Sequence, residues 1–267
     1  MGYARSAHAQ EVIVVILTRT FNECTHIFTP GQEELWSQLG EQIPKDWILY
    51  GDTALGLRMG HRGSPDFELK SAKDFEPELL QDSIPFLRDA TVLESARNHL
   101  KVAVGGPTPV EMTFYGGQTI AQVHPPDRAS NGLPVASLAD LTAAKMYTIS
   151  GQPRQEDYRD IGALIHEGVP LNDMIGYGTA VYGADFDHKE ALKNLTSVDR
   201  SAARPGPEME STLIREGAGG HHPVHTRIHS DRLTTETREP AQKPRVAHNY
   251  ERSVDPYDLR DPFDLQR

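Results

Sequence analysis

Cysteine is nearly absent from this 267-residue chain. Cys24 is the single one, so no internal disulfide can form and nothing points to an oxidising compartment. It lies in a stretch without a clear hydrophobic period, which marks it as an incidental thiol rather than a nucleophile. Positive charge is also short. Lys and Arg number 27 against 38 Asp and Glu, for a formal net charge of −11. That balance excludes a general DNA-coating protein, whose phosphate contacts require a basic face, but leaves room for a local basic groove. Long apolar runs are missing too. The longest, Val12 to Leu17, falls far below the roughly 20 residues that span a bilayer. With no strongly basic leader and no convincing cleavage site, the sequence predicts neither a membrane span nor a secretory signal, and a cytoplasmic location. Hydrophobic residues make up only 37 %, so part of the chain is expected to bury nothing.

What is present divides the chain into unequal parts. Residues 1–30 show no clean period and read as a variable extension, with a short strand expected at 12–17. From Gly31 onward the pattern is regular. Leu35, Trp36 and Leu39 stand at helical spacing within Glu33–Gln42, and Pro44 ends the run. Trp47–Tyr50 reads as a buried strand entering a turn at Gly51, and Thr53–His61 as a helix. Phe67–Lys70 alternates as a strand, and Glu76–Arg88 reads as one helix. Strands are expected at Thr91–Glu94, Leu100–Val104 and Val110–Tyr115, the last two joined by Gly105-Gly106-Pro107. Four helices then follow: Ser137–Ser150, Glu156–His166, Asp173–Tyr182 and His188–Leu195. The first of these has Ser137 as N-cap and Asp140 in its first turn. Mixed strands and helices followed by helices alone predict an α+β fold, with an α/β half over about 31–125 and a helical half over about 135–200.

Beyond Ser201 the character changes. Ala203-Arg204-Pro205-Gly206-Pro207, Gly217–Gly220 and Glu239–Pro244 are dense in breakers and charge. Such a segment cannot offset its ordering entropy, and 201–267 is expected to be a disordered tail. His221, His222, His225 and His229 belong to it and read as a His-rich stretch rather than a metal site, because no core orients them. The echo of Asp255-Pro256-Tyr257-Asp258-Leu259 in Asp261-Pro262-Phe263-Asp264-Leu265 reads as chance repetition ahead of a docking peptide.

The chemistry concentrates between residues 51 and 68. Asp66 and Glu68 are two apart on an expected strand, so both carboxylates face one side while Phe67 and Leu69 face the other. Paired oxygen donors of this kind suit a hard octahedral cation that also binds nucleotide phosphates. Just upstream, the turn from Gly51 to Thr53 offers backbone amides and a hydroxyl to phosphate oxygens at a helix start. On the third strand Glu111 either completes the acidic cluster or lies on a solvated face. His61 and Arg62 either contact phosphates or RNA, or brace the turn.

The run Gly51-Asp52-Thr53-Ala54-Leu55, followed by His61-Arg62-Gly63-Ser64-Pro65-Asp66-Phe67-Glu68, resembles the signature of the AbiEii/AbiGii-type nucleotidyltransferase toxin family. That family typically shows a Gly-Gly-Thr-Ala-Leu turn and then His-Arg-x-Ser-x-Asp-Phe-Asp. Val135–Lys145 is similar to the family's next block, and Asp157-Tyr158-Arg159-Asp160-Ile161 to the one after it. The resemblance runs from about Gly31 to about Val198. It implies a polymerase-β-like nucleotidyltransferase core that transfers a nucleotide from an NTP, with Mg2+ or Mn2+ as cofactor. It further implies RNA or tRNA as acceptor and an antitoxin protein as partner. Under it, Asp66 is the leading metal ligand and Glu68 the second, while Glu111 is a further candidate ligand from the strand pattern alone. Gly51, Thr53, Ser64 and Lys145 bind the nucleotide, Lys145 offsetting triphosphate charge. Asp157 is the other catalytic acid, as base or metal ligand.

Three positions depart from the family pattern. Asp52 stands where the family turn has its second glycine, adding bulk and negative charge where phosphates would approach. Glu68 replaces an aspartate. Glu156 stands where the family has a basic residue, with Arg154 close enough to substitute. Asp52 and Glu68 keep one rival open, a degenerate, non-catalytic nucleotide- or protein-binding module. A metal-dependent phosphodiesterase or nuclease is the other, since a carboxylate-bound metal also serves hydrolysis.

Overall fold

The computed structural model describes residues 20–117 and 121–196. The expected strand at 12–17 and the tail from 201 lie outside them. Helix α1 spans Pro30–Gln42. Thr29 and Gln32 cap its start reciprocally: the Gln32 amide donates to Thr29 Oγ1 (3.3 Å) and the Thr29 amide to Gln32 Oε1 (3.0 Å). Pro30 at the first helical position has no amide hydrogen to satisfy there. Strand β1 (Ile48–Tyr50) runs directly into helix α2 (Gly51–Met59), which therefore starts two residues before Thr53. Strand β2 covers Asp66–Lys70.

The one helix expected over Glu76–Arg88 is shorter in the structure. Helix α3 occupies Pro77–Ser83 and is followed by a 3-10 turn at Pro85–Leu87. Pro85 is the reason: it offers no amide to the ladder and forces Ile84 into an extended conformation (φ −104°, ψ 113°). Strands β3 (Thr91–Ala96), β4 (His99–Val104) and β5 (Val110–Tyr115) form an antiparallel meander. Two short strands follow, β6 (Asp127–Arg128) and β7 (Pro134–Val135).

Among the described residues these strands form one seven-stranded mixed sheet, in the order β3-β4-β5-β2-β1-β7-β6. β2 pairs parallel with β5, and β1 parallel with β7, while β1 and β2 run antiparallel. The register places Asp66 beside Glu111 and Glu68 between Tyr50 and Thr113. Leu49, Phe67, Leu69, Met112 and Phe114 point to the opposite face and are fully buried. There Trp36 stacks on Phe67 (centroids 6.2 Å apart) and Trp47 meets Phe114 edge-on at 5.2 Å. One face of the central strands thus makes the core, and the other carries the polar residues.

The helical half comprises α4 (Leu138–Ser150), α5 (Gln155–His166), α6 (Leu171–Tyr182) and α7 (His188–Thr196). Ser137 caps α4 by accepting from the Asp140 amide at 3.1 Å. α4 packs against α5, α6 and α7 and also against α2, which brings the helical half to the end of β1.

Gly56 fixes a second approach. A β-carbon there would sit 2.4 Å from the Arg62 carbonyl oxygen, so α2 and the loop after it touch backbone to side. Gly56→Ala would gain about 1 kcal/mol of helix propensity. Relieving an overlap with rigid backbone costs about 1–3 kcal/mol, and occasionally more. The variant is therefore expected to be net destabilised, with a lower urea midpoint than wild type at unchanged slope.

Candidate active site

Gly51 opens the site. Its φ of +75° is a left-handed conformation that side chains rarely adopt, and a β-carbon would lie 3.1 Å from Glu68 Cβ. The turn is therefore pressed against the strand that carries Asp66 and Glu68. Thr53 is buried, and its hydroxyl donates to the Asp66 carbonyl and, at 3.4 Å, to the Ser64 carbonyl. Gln32, fully buried on α1, donates to the same Ser64 carbonyl at 2.8 Å. Two elements thus hold the backbone of 64–66 in place. Ser64 Oγ donates to Asp66 Oδ1 at 2.6 Å.

On the polar face of the sheet, Asp66 and Glu68 are both half-buried. Burial raises the Asp66 carboxyl above its ordinary range, and the like charges of Asp52 and Glu68 add to the shift. The Ser64 hydroxyl offsets only part of it. Among the described residues no basic side chain forms an ion pair with Asp66. Glu68 pairs with Lys70 at 2.8 Å and the more exposed Glu111 with Lys101 at 2.8 Å. This donor set is all oxygen, and Asp66 within it has no ion pair among the described residues. It fits a hard divalent cation.

A second constellation faces it, built from α2, the following loop, α4 and α5. Lys145 is buried, and its ammonium contacts three carboxylates: Asp52, Asp157 at 2.8 Å and Asp160 at 2.7 Å. Arg62 grips Asp160 with two parallel bonds, Nε to Oδ1 at 2.6 Å and Nη2 to Oδ2 at 2.7 Å, and also reaches Asp52 Oδ2 at 2.8 Å. His61 Nε2 lies 2.9 Å from Asp160 Oδ1. Arg154 Nη2 reaches Asp52 Oδ2 at 3.4 Å, and the Arg154 amide is bonded to Asp157 Oδ2 at 2.8 Å. Asp157 thus caps α5 with one oxygen and holds Lys145 with the other.

The charges stabilise one another against burial. Burial opposes the Lys145 ammonium, but Asp52, Asp160 and Asp157 outweigh it and hold its pKa above the ordinary value. Burial likewise opposes the Asp160 carboxylate, while His61, Arg62 and Lys145 hold it well below the usual range. Asp52 is lowered in the same way: Lys145 and Arg62 overcome the cost of burial.

Asp52, Asp157 and Asp160 could hold a metal, having ligand atoms within 4.8 Å of one another. In the structure the Lys145 ammonium already fills their centre. A metal there would have to displace a buried cation, whereas none stands in the way at Asp66.

The structure thus brings Gly51, Ser64, Asp66 and Glu68 together, with Glu111 beside Asp66. It groups Lys145 with Asp157 on the α2–α4–α5 side. Thr53 turns its hydroxyl to backbone. His61 and Arg62 brace the loop by gripping Asp160. Asp160 has no role in the expectations drawn from the sequence, which show none of its partners. A signal was available: residues 157 and 160 fall on the same side of α5 as the apolar residues 158, 161 and 164, and acids on a buried face require cations.

No protein-family model matches the chain, and no curated protein matches it. Among solved structures, the chain is similar to MenT4, a nucleotidyltransferase toxin from Mycobacterium tuberculosis H37Rv. The TM-score is 0.50 at 13% sequence identity, over 70% of this chain and 80% of MenT4. Two Helicobacter pylori proteins match more loosely. A candidate nucleotidyltransferase gives a TM-score of 0.44 at 15% identity, over 70% of this chain and 90% of its own length. JHP933 gives 0.43 at 15% identity, over 70% and 94%. The described residues have the α+β fold of a nucleotidyltransferase toxin, and the resemblance read from the sequence is borne out at the level of the fold.

Asp160 is expected to be the keystone of the buried network. Asp160→Asn leaves Arg62 and Lys145 short of a countercharge and is expected to cost about 3–5 kcal/mol at neutral pH. Because the folded pKa is depressed, this stabilisation is fully present above the unfolded value of about 4. It is lost as the pH falls through the lower folded value. Urea titrations of both proteins at neutral and strongly acidic pH should show the gap narrowing toward acid.

Proposed function

We propose that the chain is a divalent-metal-dependent nucleotidyltransferase that moves a nucleotide from an NTP to an RNA acceptor. The observation that carries this reading is the pairing of two unlike sites across the Gly51 turn. On one side lie the carboxylates of Asp66 and Glu68, and among the described residues no basic side chain forms an ion pair with Asp66. On the other lie Lys145, Arg62 and Arg154. A nucleoside triphosphate needs both, and a simple phosphodiester needs less of the second. For that reason a metal-dependent phosphodiesterase is the weaker reading.

In this assignment Asp66 and Glu68 hold Mg2+ or Mn2+, with Glu111 as a further carboxylate beside Asp66. Bound there, the metal supplies charge neutralisation at the phosphates. Ser64 orients Asp66 through its hydroxyl, and Gly51 allows the phosphates to approach the backbone. Lys145 and Arg62 offset charge on the leaving phosphates, and Asp157 orients Lys145. The acceptor oxygen forms a bond to the α-phosphorus, the α–β anhydride bond breaks, and pyrophosphate leaves as the acceptor releases its proton. Positioning and charge rather than covalent chemistry then account for the rate. Since the chain carries net negative charge, the acceptor is expected to be held by a local groove rather than by the whole surface.

A toxin role with an antitoxin partner and a cytoplasmic location complete the proposal. They draw support from the sequence resemblance and from the fold shared with a toxin. Among the described residues no helix is long and apolar enough to cross a membrane. The second reading, a non-catalytic nucleotide-binding module, is favoured by one observation: Asp52 engages Lys145, Arg62 and Arg154 in the site itself.

Incubation with each α-labelled NTP, Mg2+ and bacterial RNA tests the choice. Wild-type protein is expected to transfer label to RNA, and Asp66→Ala to lose at least about a hundredfold of that rate, the scale of removing one electrostatic stabiliser. Binding of NTP without transfer would favour the module, and RNA cleavage without transfer the phosphodiesterase.

A further inference from the structure

The carboxylate of Asp52 sits where an anion would be expected to bind. It projects from the first turn of α2, a nine-residue helix, into the convergence of Lys145, Arg62 and Arg154. One oxygen takes the Lys145 ammonium, and the other takes Arg62 Nη2 at 2.8 Å and Arg154 Nη2 at 3.4 Å. Each of the three cations has another carboxylate as well: Asp160 and Asp157 for Lys145, Asp160 for Arg62, and Asp157 for Arg154 at 3.6 Å. With Asp52 in place, three cations face three carboxylates. Without it the cluster keeps one cation in excess beside the amino end of a helix, which is the electrostatic signature of an anion seat.

We infer that Asp52 is a built-in competitor for the triphosphate: its carboxylate fills the anion seat made by Lys145, Arg62 and Arg154, and an incoming NTP must displace it. This deepens the reading of the site as an NTP site and rests on it. The wild-type chain is then held in a low-affinity state by one of its own side chains. Its occupancy by nucleotide depends on freeing Lys145 and Arg62 from Asp52, while Asp157 and Asp160 keep both in position. The geometry also explains how an acid can occupy a turn that faces phosphates. Asp52 is not left facing an anion as a like charge, because it has taken the cations that the anion would use.

Calorimetric titration with the magnesium complexes of ATP, GTP, CTP and UTP, and with magnesium tripolyphosphate, tests this on wild type, Asp52→Asn and Asp52→Gly. Asp52→Asn keeps the shape and one acceptor oxygen but removes the charge. Asp52→Gly removes the side chain and serves if the asparagine variant folds poorly. A like charge a few ångströms from a triphosphate in partly buried surroundings is worth at least about tenfold in affinity. Both variants are therefore expected to bind tripolyphosphate and the preferred NTP at least about tenfold more tightly than wild type. Equal or weaker binding by folded variants, with wild-type binding intact, would overturn the inference and leave the NTP site standing. No binding of any NTP by any of the three proteins would overturn both.

Discussion

The ammonium of Lys145, buried among Asp52, Asp157 and Asp160, is the interaction on which the rest of the site depends. A lone buried cation would be untenable, and three clustered carboxylates would be equally so. Together with Arg62 they form a network whose members come from α2, the loop after it, α4 and α5. The helical half is therefore attached to the sheet half by charge as well as by apolar packing. The same network sets where α2 begins relative to β2, because Arg62 precedes Asp66 by four residues in a loop held by Thr53 and Gln32.

A division of labour follows from this arrangement. The network is internally neutralised, so the unmet demand for positive charge falls on Asp66, whose neighbour Glu68 is paired only with the partly exposed Lys70. A triad of acids that geometry alone would allow as a metal site is already occupied by a lysine. Of the strand carboxylates, Glu68 and Glu111 pair with the partly exposed Lys70 and Lys101, and Asp66 is the one with no ion pair among the described residues. Charge balance rather than the number of carboxylates decides which group is suited to a metal, and the cations Lys145, Arg62 and Arg154 lie across the Gly51 turn from it.

Much of this was legible in the sequence, and for identifiable reasons. The alternation of Asp66, Phe67, Glu68 and Leu69 on a strand determines which side chains share a face. Gly51 marks a turn that only glycine makes without strain. Ser137 and Asp140 announce the start of α4 three positions apart. What was not legible is the pairing of residues about a hundred positions apart. Nothing near His61 and Arg62 shows that their partner is Asp160, and the acids of α5 look like ordinary occupants of a helix amino end. Asp52 stood out as a misplaced acid, but only the fold shows which cations it has taken. The early break of α3 at Pro85 was readable locally, yet the surrounding apolar residues masked it.

The position of the metal decides between the two carboxylate groups. Crystals grown with Mn2+ and an NTP analogue that cannot be cleaved between the α- and β-phosphates would locate it by anomalous scattering. A peak held by Asp66 and Glu68 is expected, with the triphosphate on the Lys145 and Arg62 side of the Gly51 turn. A peak among Asp52, Asp157 and Asp160, with Lys145 displaced, would contradict that placement.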